Sequence, residues 1–249
     1  MNAAETARVE LSSARRRTGV HMLRSLAISP HAWITYEIDY DAVDSARRQS
    51  QEAWRDAHGG RSLTYLPFLC FAVCRALERY PEINARYVDG SLELHDKIGL
   101  SIAIDLGPRG LVVPVIRDAG TRSVADLAVA IWDLTDRARG KRLVPDDFVG
   151  GTYTVSNPGP MGTYSSAPII NQPQSAILAI DGIGPRPIVV EAADGTRALG
   201  IGVRGLVTQA FDHRAFDGAY CAAYLRSLAE IVCATPWHEH LTPYIRKEQ

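Results

Sequence analysis

The sequence lacks three features that would assign it at once to a common class of protein: an excess of charge of one sign, a long apolar run and clustered cysteines. Its 249 residues carry 27 basic and 28 acidic side chains, a net charge of -1, so nothing favours nucleic acid as a partner. No apolar run reaches the roughly 18 residues that a membrane-spanning helix needs, and the N-terminus has no signal-peptide core. We therefore expect a soluble, cytoplasmic protein without a membrane partner.

Cysteine is scarce, and its placement argues against both disulfides and a metal site. The four cysteines lie in apolar, helix-like stretches, at Cys70, Cys74, Cys221 and Cys233. Cys70 and Cys74 share a helix face, but no histidine or third cysteine stands nearby at a metal-ligand spacing. We expect core packing in a reducing compartment and no metal cofactor.

What is present is a mixture of helical and strand patterns without a strict β-α-β rhythm. Helical periodicity marks the segments 13–29, 41–57, 67–80, 123–143 and 218–234, and strand patterns mark 33–38, 97–107, 110–120, 151–157, 175–183, 186–195 and 197–211. This mixture predicts an α/β fold of the two-layer α+β kind, a mixed β-sheet packed with helices. One domain over 1–249 suffices, with 1–27 as an N-terminal arm and helix.

The segment with the most chemistry is FDHRAFDG, Phe211 to Gly218, where a predicted strand runs into a predicted helix. His213 at the strand end can act as a general base near neutral pH, and a neighbouring carboxylate can fix its tautomer. Asp217 stands where a carboxylate caps a helix N-terminus. The alternative is a capped turn that faces solvent and has no chemistry.

A second candidate is GGTYTVSNPG, in which a predicted strand ends in Ser156 and Asn157. Hydroxyl and amide groups at a strand end can donate hydrogen bonds to a developing oxyanion. The alternative is an Asn-Pro-Gly turn without chemistry.

Three other patterns do not support a function. GIGVRG at 200–205 matches G-x-G-x-x-G but continues into a strand instead of a helix, so its glycines are expected to ease a bend or bulge. No G-x-S-x-G nucleophile elbow occurs. The basic ARRRTG at 14–19 is expected to be a solvated helix face, with a phosphate contact as the lesser alternative.

Together these segments resemble the catalytic domain of dihydrolipoamide acyltransferases, the core components of 2-oxoacid dehydrogenase complexes, which are related in fold to chloramphenicol acetyltransferase. FDHRAFDG is similar to the family's D-H-R-x-x-D-G signature, and GLVVPVIRDAG, GGTYTVSNPG and APIINQPQSAIL are similar to three further motifs. Arg15-Arg16 and SPHAWITYEID near the start also fit. The resemblance covers nearly the whole chain in order and spacing.

The resemblance implies acyl transfer between the thiol of dihydrolipoamide, carried on a separate lipoyl domain, and the thiol of coenzyme A. His213 matches the general base that takes the proton from the attacking thiol, and Ser156 matches the hydroxyl that stabilises the oxyanion. Asp217 matches the residue that holds or assists these groups. Asp212 and Arg214 are expected to shape the turn through an ion pair.

Contacts to coenzyme A are carried over from the family in the same way. The matching positions are Arg47, Thr64, Asp105, Ser156, Asn157, Pro160, Met161 and Asp181. A phosphate is the expected partner of Arg47. For Thr64, Met161 and Asp181, ordinary packing or loop duty is the alternative.

The resemblance also implies partners. It predicts a homotrimer in which His213 of one subunit faces Ser156 of its neighbour, larger hollow cores built from trimers, and work with a lipoyl domain, a 2-oxoacid decarboxylase and a dihydrolipoamide dehydrogenase. No lipoyl domain or subunit-binding segment is recognised in 1–249, so we expect a core cut from a longer protein or a stand-alone member.

The chain departs from the family beside the catalytic motif. Thr208-Gln209-Ala210 replaces a Leu-Ser-Leu-Ser-like strand, and Ala215-Phe216 replaces an aliphatic pair, so the surroundings of His213 are expected to differ. The acyl group, whether acetyl, succinyl or branched-chain, stays open. Two rival functions also remain: a chloramphenicol-acetyltransferase-like O-acetyltransferase of a small molecule, and a structural core subunit without activity.

Overall fold

The computed structural model describes residues 7–245, in which helices and strands alternate irregularly. The helices are α1 (Ser13–Ile28), α2 (Asp41–Ala57), α3 (Leu66–Arg79), α4 (Val124–Arg139), α5 (Gly218–Ala234) and α6 (Trp237–Ile245). The strands are β1 (His31–Asp39), β2 (Ala85–Val88), β3 (Ser91–Leu94), β4 (Leu100–Asp105), β5 (Leu111–Val112), β6 (Val115–Ile116), β7 (Tyr153–Ser156), β8 (Ala176–Ile180), β9 (Gly184–Glu191) and β10 (Arg197–Asp212).

Eight of these strands form one mixed sheet. Its order is β1-β10-β8-β7-β4-β5, with β6 paired to β4 and β9 paired to β10. Strands β4, β7 and β8 run parallel, whereas β10 is antiparallel to both β8 and β1. The carboxyl ends of β7 and β8 therefore point to one end of the sheet, and the carboxyl end of β10 points to the other.

The two faces of this sheet differ in chemistry because side chains alternate along each strand. One face presents buried apolar side chains such as Val155, Leu178 and Phe211, which join the core with residues from α2 to α6. The opposite face presents small and hydroxylic side chains, with Ser156 on β7 and Thr208 on β10. The structure thus confirms the predicted mixed sheet with helices packed on it.

The predicted helix bounds and caps are confirmed where they depend on neighbouring residues in the sequence. Helices α2 and α5 have the predicted bounds, and Ser123 caps α4 as predicted: its hydroxyl accepts from the Asp126 N–H at 3.0 Å, while the Asp126 carboxylate accepts from the Ser123 N–H. Such a capping box satisfies two N–H groups that the first helical turn leaves unpaired.

Three elements differ from the predictions. The predicted strand 110–120 is two short pieces, β5 and β6, separated by Val113 and Pro114, because proline cannot donate a ladder hydrogen bond. Hairpin β2–β3 and helix α6 were not predicted. The hairpin turns at Asp89-Gly90, where both residues have positive φ, a pair typical of tight hairpins.

Strand β10 contains the GIGVRG segment, so the rejection of a dinucleotide-binding turn is confirmed. The pairing of β10 with β1 is unbroken, but on the other edge of β10 the register shifts by one residue between Val207↔Ile180 on β8 and Arg204↔Gly184 on β9. Two residues of β10, Gly205 and Leu206, thus lie opposite the three residues 181–183, so a bulge is present in the partner strand beside the last glycine of the GIGVRG segment. At Gly205 a Cβ atom would lie 2.8 Å from the Ile183 side chain and 3.0 Å from the Tyr40 ring. This glycine therefore also permits close packing beside the bulge.

Hairpin β9–β10 projects with exposed apolar side chains. Leu199 and Ile201 are 85% and 82% exposed, and they share one face with Val189 because Leu199 pairs with Val189 across the hairpin. Exposed apolar patches of this kind are typical of interaction surfaces.

Three of the four cysteines behave as core residues, whereas Cys233 is exposed and the expectation of core packing is wrong for it. Cys70, Cys74 and Cys221 are buried and unbonded, and burial raises the pKa of Cys74 and of Cys221 to about 12. Among residues 7–245, no three His, Cys, Asp or Glu side chains gather as a metal site would require. Within the same range, no helix is long and apolar enough to cross a membrane.

Candidate active site

His213 lies at the turn between β10 and α5, and backbone hydrogen bonds hold this turn on two sides. The His213 N–H donates to the Pro30 carbonyl at 3.0 Å, and the Asp212 N–H donates to the Ser175 carbonyl at 2.8 Å. The His213 side chain is 49% exposed. The main chain is therefore fixed while the imidazole stays accessible to a substrate.

The Asp212 carboxylate is the buried anchor of this turn. It accepts hydrogen bonds from the Ser29 hydroxyl at 2.6 Å and from Arg214 Nε at 3.0 Å and Nη2 at 2.6 Å, and the Arg214 guanidinium lies 4.3 Å from the centre of the Tyr87 ring. Burial alone would raise the pKa of Asp212, but the hydrogen bonds from Arg214 and Ser29 outweigh it and lower this pKa. The predicted ion pair is confirmed.

Asp217 occupies the N-cap position of α5, but the expected cap by its carboxylate is wrong. Its backbone carbonyl accepts from the Cys221 N–H at 3.2 Å, and its side chain makes no capping hydrogen bond. The carboxylate instead lies with Oδ1 3.7 Å from His213 Nδ1 and is 88% exposed. This separation exceeds a hydrogen bond but lets Asp217 attract a protonated His213.

Two of the departures beside His213, Gln209 and Phe216, are accommodated in the core. Gln209 points to the helix side of the sheet and accepts from the Tyr153 hydroxyl at 2.6 Å, and Tyr224 donates to that same hydroxyl at 3.2 Å. Phe216 stacks on Phe211, with ring centres 5.1 Å apart. Gln209 and Phe216 thus form part of the packing beneath the turn.

Ser156 lies at the end of β7, far from His213 of the same chain. The sheet register pairs Ser156 with Ala179 on β8 and Ala179 with Thr208 on β10. His213 follows Thr208 by five residues, so it lies about 16 Å farther along the sheet and about 10 Å across it. One chain therefore does not bring the two predicted catalytic side chains together.

A cavity of about 150 Å³ opens beside the end of β7. It brings together four of the predicted coenzyme A positions with apolar neighbours and is lined by Thr64, Tyr65, Leu66, Asn157, Gly159, Pro160, Ile180, Asp181 and Ile183. Asn157 directly follows Ser156, so one lining residue of the cavity is the chain neighbour of the predicted oxyanion donor. Narrow clefts with a few polar groups on apolar walls are typical of ligand sites.

Of the remaining predicted positions, Arg47 and Met161 lie next to residues that line this cavity, whereas Asp105 is not among its lining residues or their contacts. Arg47 is paired with Asp44 at 2.7 Å and stacks 4.7 Å from the centre of the Tyr65 ring, which lines the cavity. Met161 is exposed on the turn that contains cavity residue Pro160. The Asp105 carboxylate, at the end of β4, accepts from a backbone N–H two residues on.

Asp181 lines the cavity, but its carboxylate has a structural task. It is buried and accepts from the Ser166 N–H at 3.0 Å and the Ser166 hydroxyl at 2.6 Å. These bonds fasten the loop 157–168 over the end of β8. The alternative given for Asp181, that it holds a loop, therefore applies to its carboxylate.

Two residues with evident roles were missed by sequence reasoning. Tyr65 forms a wall of the cavity and donates to Asp44 at 2.5 Å, and Ser29 holds Asp212. Tyr65 directly follows Thr64, a predicted coenzyme A position, and directly precedes α3. An aromatic residue at this place was the signal by which the sequence could have indicated it. Ser29 and Asp212 are 183 positions apart, so no local pattern marks their contact.

Comparison with known proteins agrees with this geometry. A family model described as the catalytic domain of 2-oxoacid dehydrogenase acyltransferases matches residues 3–238. The dihydrolipoyllysine-residue acetyltransferase component of the pyruvate dehydrogenase complex of Corynebacterium glutamicum is 36% identical over 218 residues, which are 87% of this chain. The chain spans 32% of that relative's length.

Solved structures agree in fold. A probable dihydrolipoamide acetyltransferase from Listeria monocytogenes superposes with a TM-score of 0.86 at 32% identity, over 92% of this chain and 95% of that one. A chloramphenicol acetyltransferase superposes with a TM-score of 0.51 at 18% identity, over 86% of this chain and 94% of that one, and shows the fold alone. The predicted fold relationship is confirmed, and the chain belongs to the family of 2-oxoacid dehydrogenase acyltransferase catalytic domains.

Proposed function

We propose that this chain transfers an acyl group between dihydrolipoamide and coenzyme A, as the core of a cytoplasmic 2-oxoacid dehydrogenase complex. The observation that carries the proposal is the division of the site: an accessible histidine at one end of the sheet, and a serine beside a narrow cavity at the other. A thioester exchange needs a base for a thiol and a donor for an oxyanion, and these are the two groups present.

His213 acts first in the proposed reaction. A free thiol has a pKa near 8.5 and is mostly protonated at neutral pH. The imidazole takes the thiol proton as the sulfur attacks the thioester carbonyl carbon, so that the new C–S bond forms without a free thiolate in solution. The Asp217 carboxylate, at 3.7 Å from Nδ1, carries the charge opposite to that of the imidazolium that results.

Ser156 serves the second half of the reaction. Attack leaves the carbonyl oxygen with a negative charge, and the serine hydroxyl donates a hydrogen bond to it. When the intermediate collapses, the original C–S bond breaks, and the leaving thiolate recovers a proton from His213. The net change is exchange of one thioester for another, with no acyl-serine.

A homotrimer is the proposed assembly, and larger cores built from trimers are proposed with it. A three-fold ring of head-to-tail contacts lets His213 of each subunit meet Ser156 of the next. The exposed apolar face of hairpin β9–β10, with Leu199 and Ile201, is suited to burial in such a contact. The proposed working partners are a lipoyl domain, a 2-oxoacid decarboxylase and a dihydrolipoamide dehydrogenase.

The first test is thioester exchange with a panel of donors. Purified protein is incubated with dihydrolipoamide and with acetyl-, succinyl- and branched-chain acyl-coenzyme A, and S-acyl dihydrolipoamide is measured. We expect transfer from at least one donor, which also identifies the acyl group. Transfer to a small hydroxylated acceptor but not to dihydrolipoamide would favour the O-acetyltransferase function, and no transfer at all would favour an inactive structural core.

The second test asks whether two subunits share a site. His213→Ala and Ser156→Ala chains, each nearly inactive alone, are co-expressed in equal amounts. In a random ring of three, an interface receives an intact histidine from one chain and an intact serine from the next in about one quarter of cases, so about one quarter of wild-type activity should return.

The control is co-expression of either variant with the double variant His213→Ala/Ser156→Ala. No interface can then combine an intact histidine with an intact serine, so no activity should return. If the mixture of single variants stays as inactive as its parts, the site does not cross subunits and the proposed trimer arrangement is wrong.

A further inference from the structure

The backbone of Ile170 is held by two side chains from a distant part of the chain. Ile170 lies in residues 166–173, here called the bridging segment, and is fully buried on the open face of the sheet, opposite α2 to α6. Its carbonyl accepts from the Ser25 hydroxyl at 2.6 Å, and its N–H donates to His31 Nε2 at 3.0 Å. Since a buried N–H without a partner costs stability, His31 supplies a bond that the bridging segment needs.

The two hydrogen bonds of the His31 ring fix its protonation state. Its Nδ1 lies 2.8 Å from the Ser29 carbonyl oxygen, which can only accept, so a proton is bound to Nδ1. Its Nε2 receives the Ile170 N–H, which can only donate, so Nε2 carries no proton. The ring is therefore the neutral Nδ1–H tautomer, because the other tautomer and the imidazolium would both set the Ile170 N–H against a second donor.

His31 lies directly beside the turn that contains His213. It is paired with Asp212 across β1 and β10, and the His213 N–H donates to the carbonyl of Pro30, the residue before His31. Ser29, whose carbonyl binds the His31 ring, donates its hydroxyl to the Asp212 carboxylate at 2.6 Å. The ring is thus attached to the backbone that anchors this turn.

Two further bonds join the bridging segment to the same end of the sheet. The Gln172 side-chain amide donates to the Ser29 hydroxyl at 2.7 Å. The Trp33 indole N–H donates to the Pro168 carbonyl at 2.9 Å. Together with the bond at Ile170, every second residue of the bridging segment from 168 to 172 is fastened to β1 or to the chain just before it.

Other residues of the bridging segment contact the half of the site that contains Ser156. The Asn171 side chain donates to the Thr154 hydroxyl at 3.3 Å, and Thr154 lies two residues before Ser156 on the same face of β7. At the start of the segment, Ser166 donates to the carboxylate of the cavity residue Asp181. The bridging segment therefore connects the turn of the histidine to the strand of the serine within one chain.

We propose that His31 is a positioning residue for the acyl transfer, which acts as the neutral Nδ1–H tautomer by holding the bridging segment against the end of β1. The inference rests on the proposed function. Without the Nε2 acceptor, the buried Ile170 N–H has no partner and the bridging segment separates from the open face more often. Thr154 then loses a fixed neighbour, and the hydroxyl of Ser156 is misplaced in more of the molecules. His31 contacts no reacting atom in this proposal, so turnover should suffer more than binding of coenzyme A.

Two amide replacements separate the roles of the two ring nitrogens. In His31→Gln the side-chain oxygen reaches the position of Nε2 and can accept from the Ile170 N–H, whereas the shorter amide of His31→Asn reaches only the position of Nδ1. We expect His31→Asn to lower kcat for thioester exchange about 10-fold, while the KM for acyl-coenzyme A changes less than about 3-fold. His31→Gln should keep kcat within about 3-fold of the wild-type value.

The matched control is His238→Asn, at an exposed histidine on α6, which should change neither constant. Equal losses of kcat in His31→Asn and His31→Gln, or no loss in His31→Asn, overturn the proposal. So does a loss that appears only in the KM.

Hydrogen exchange gives a readout that does not depend on activity. The Ile170 amide should exchange about 10-fold faster in His31→Asn than in the wild type or in His31→Gln, because its acceptor is lost. The amides of α5 should exchange at the wild-type rate in all three proteins. A rise of the same size in α5 means that the whole fold is weakened, and the positioning role is then wrong.

The tautomer of His31 can be tested in the wild-type protein, so the inference stays open to refutation if His31→Asn is not recovered folded. In protein labelled with 15N-histidine, the ring signals that disappear in His31→Gln should show a proton on Nδ1 and none on Nε2 near neutral pH. A proton on Nε2 overturns the proposal. If the wild type transfers no acyl group to dihydrolipoamide, the proposed function fails, whereas hydrogen exchange and the tautomer still decide whether His31 holds the bridging segment.

Discussion

Replacement of His213 by alanine should lower kcat for thioester exchange about 1,000-fold, while the KM for acyl-coenzyme A changes little. The variant loses the base that accepts the thiol proton, an effect typically between 100- and 10,000-fold. The residual rate should rise with pH up to about pH 8.5, because the free thiol then ionises without help. The measurement is the initial rate with the best donor of the panel between pH 6 and 9.

The matched control is His238→Ala, a replacement of an exposed histidine on α6. It should leave the rate and its pH dependence at the wild-type values. If His213→Ala kept more than about a tenth of the wild-type kcat, general-base catalysis by this residue would be ruled out.

Replacement of Asp212 by alanine should cost about 3–5 kcal/mol of the free energy of unfolding, the range for removing one partner of a buried ion pair. Asp212 is 2% exposed and joins β10 to Arg214 and to Ser29. Its loss leaves the Arg214 guanidinium without its carboxylate and frees the turn that carries His213. Urea unfolding at fixed protein concentration measures the cost, and kcat should fall together with stability.

The control for this prediction is Asp136→Ala, which breaks an exposed ion pair with Arg61. Exposed pairs contribute about 1 kcal/mol or less, so this variant should unfold near the wild-type midpoint. Equal losses for the two variants would contradict the role of Asp212 as a buried anchor.

The pH dependence of the Asp212 contribution follows from its lowered pKa. A carboxyl group whose pKa is lower in the folded than in the unfolded chain stabilises the fold fully above the unfolded pKa, near 3.9. That contribution disappears as the pH falls through the lower, folded pKa. The difference between wild type and Asp212→Asn should therefore be constant from pH 5 to 7 and shrink below about pH 4.

Much of this fold was predictable because its signals are local. The bounds of α2 and α5 follow from periodicity and caps, and strand β10 follows from its pattern despite its glycines. Motifs alone also identified His213 and Ser156 as the candidate catalytic pair. The Asp89-Gly90 pair is typical of tight hairpins, so the turn of β2–β3 is also a feature that local sequence can predict.

What was not predictable depends on contacts between distant segments. The Ser29 hydroxyl meets Asp212, and the cavity joins Thr64 to Asn157 and Asp181, only after the sheet has formed. The contact of Asp217 could not be predicted for a different reason, because two partners lie near this carboxylate in the sequence, the N-terminus of α5 and His213. Sequence position permits both contacts, and the local geometry selects the second.

The unbroken pairing of β10 with β1 limits how the length of β10 can vary. The strand runs for 16 residues, from the tip of the hairpin to the turn beside His213. Insertion of one residue after Gly205 would turn Gln209 to the open face and Thr208 into the core, since side chains alternate. Insertions and deletions should therefore be tolerated at the hairpin tip, 192–196, and excluded from the eight positions before His213.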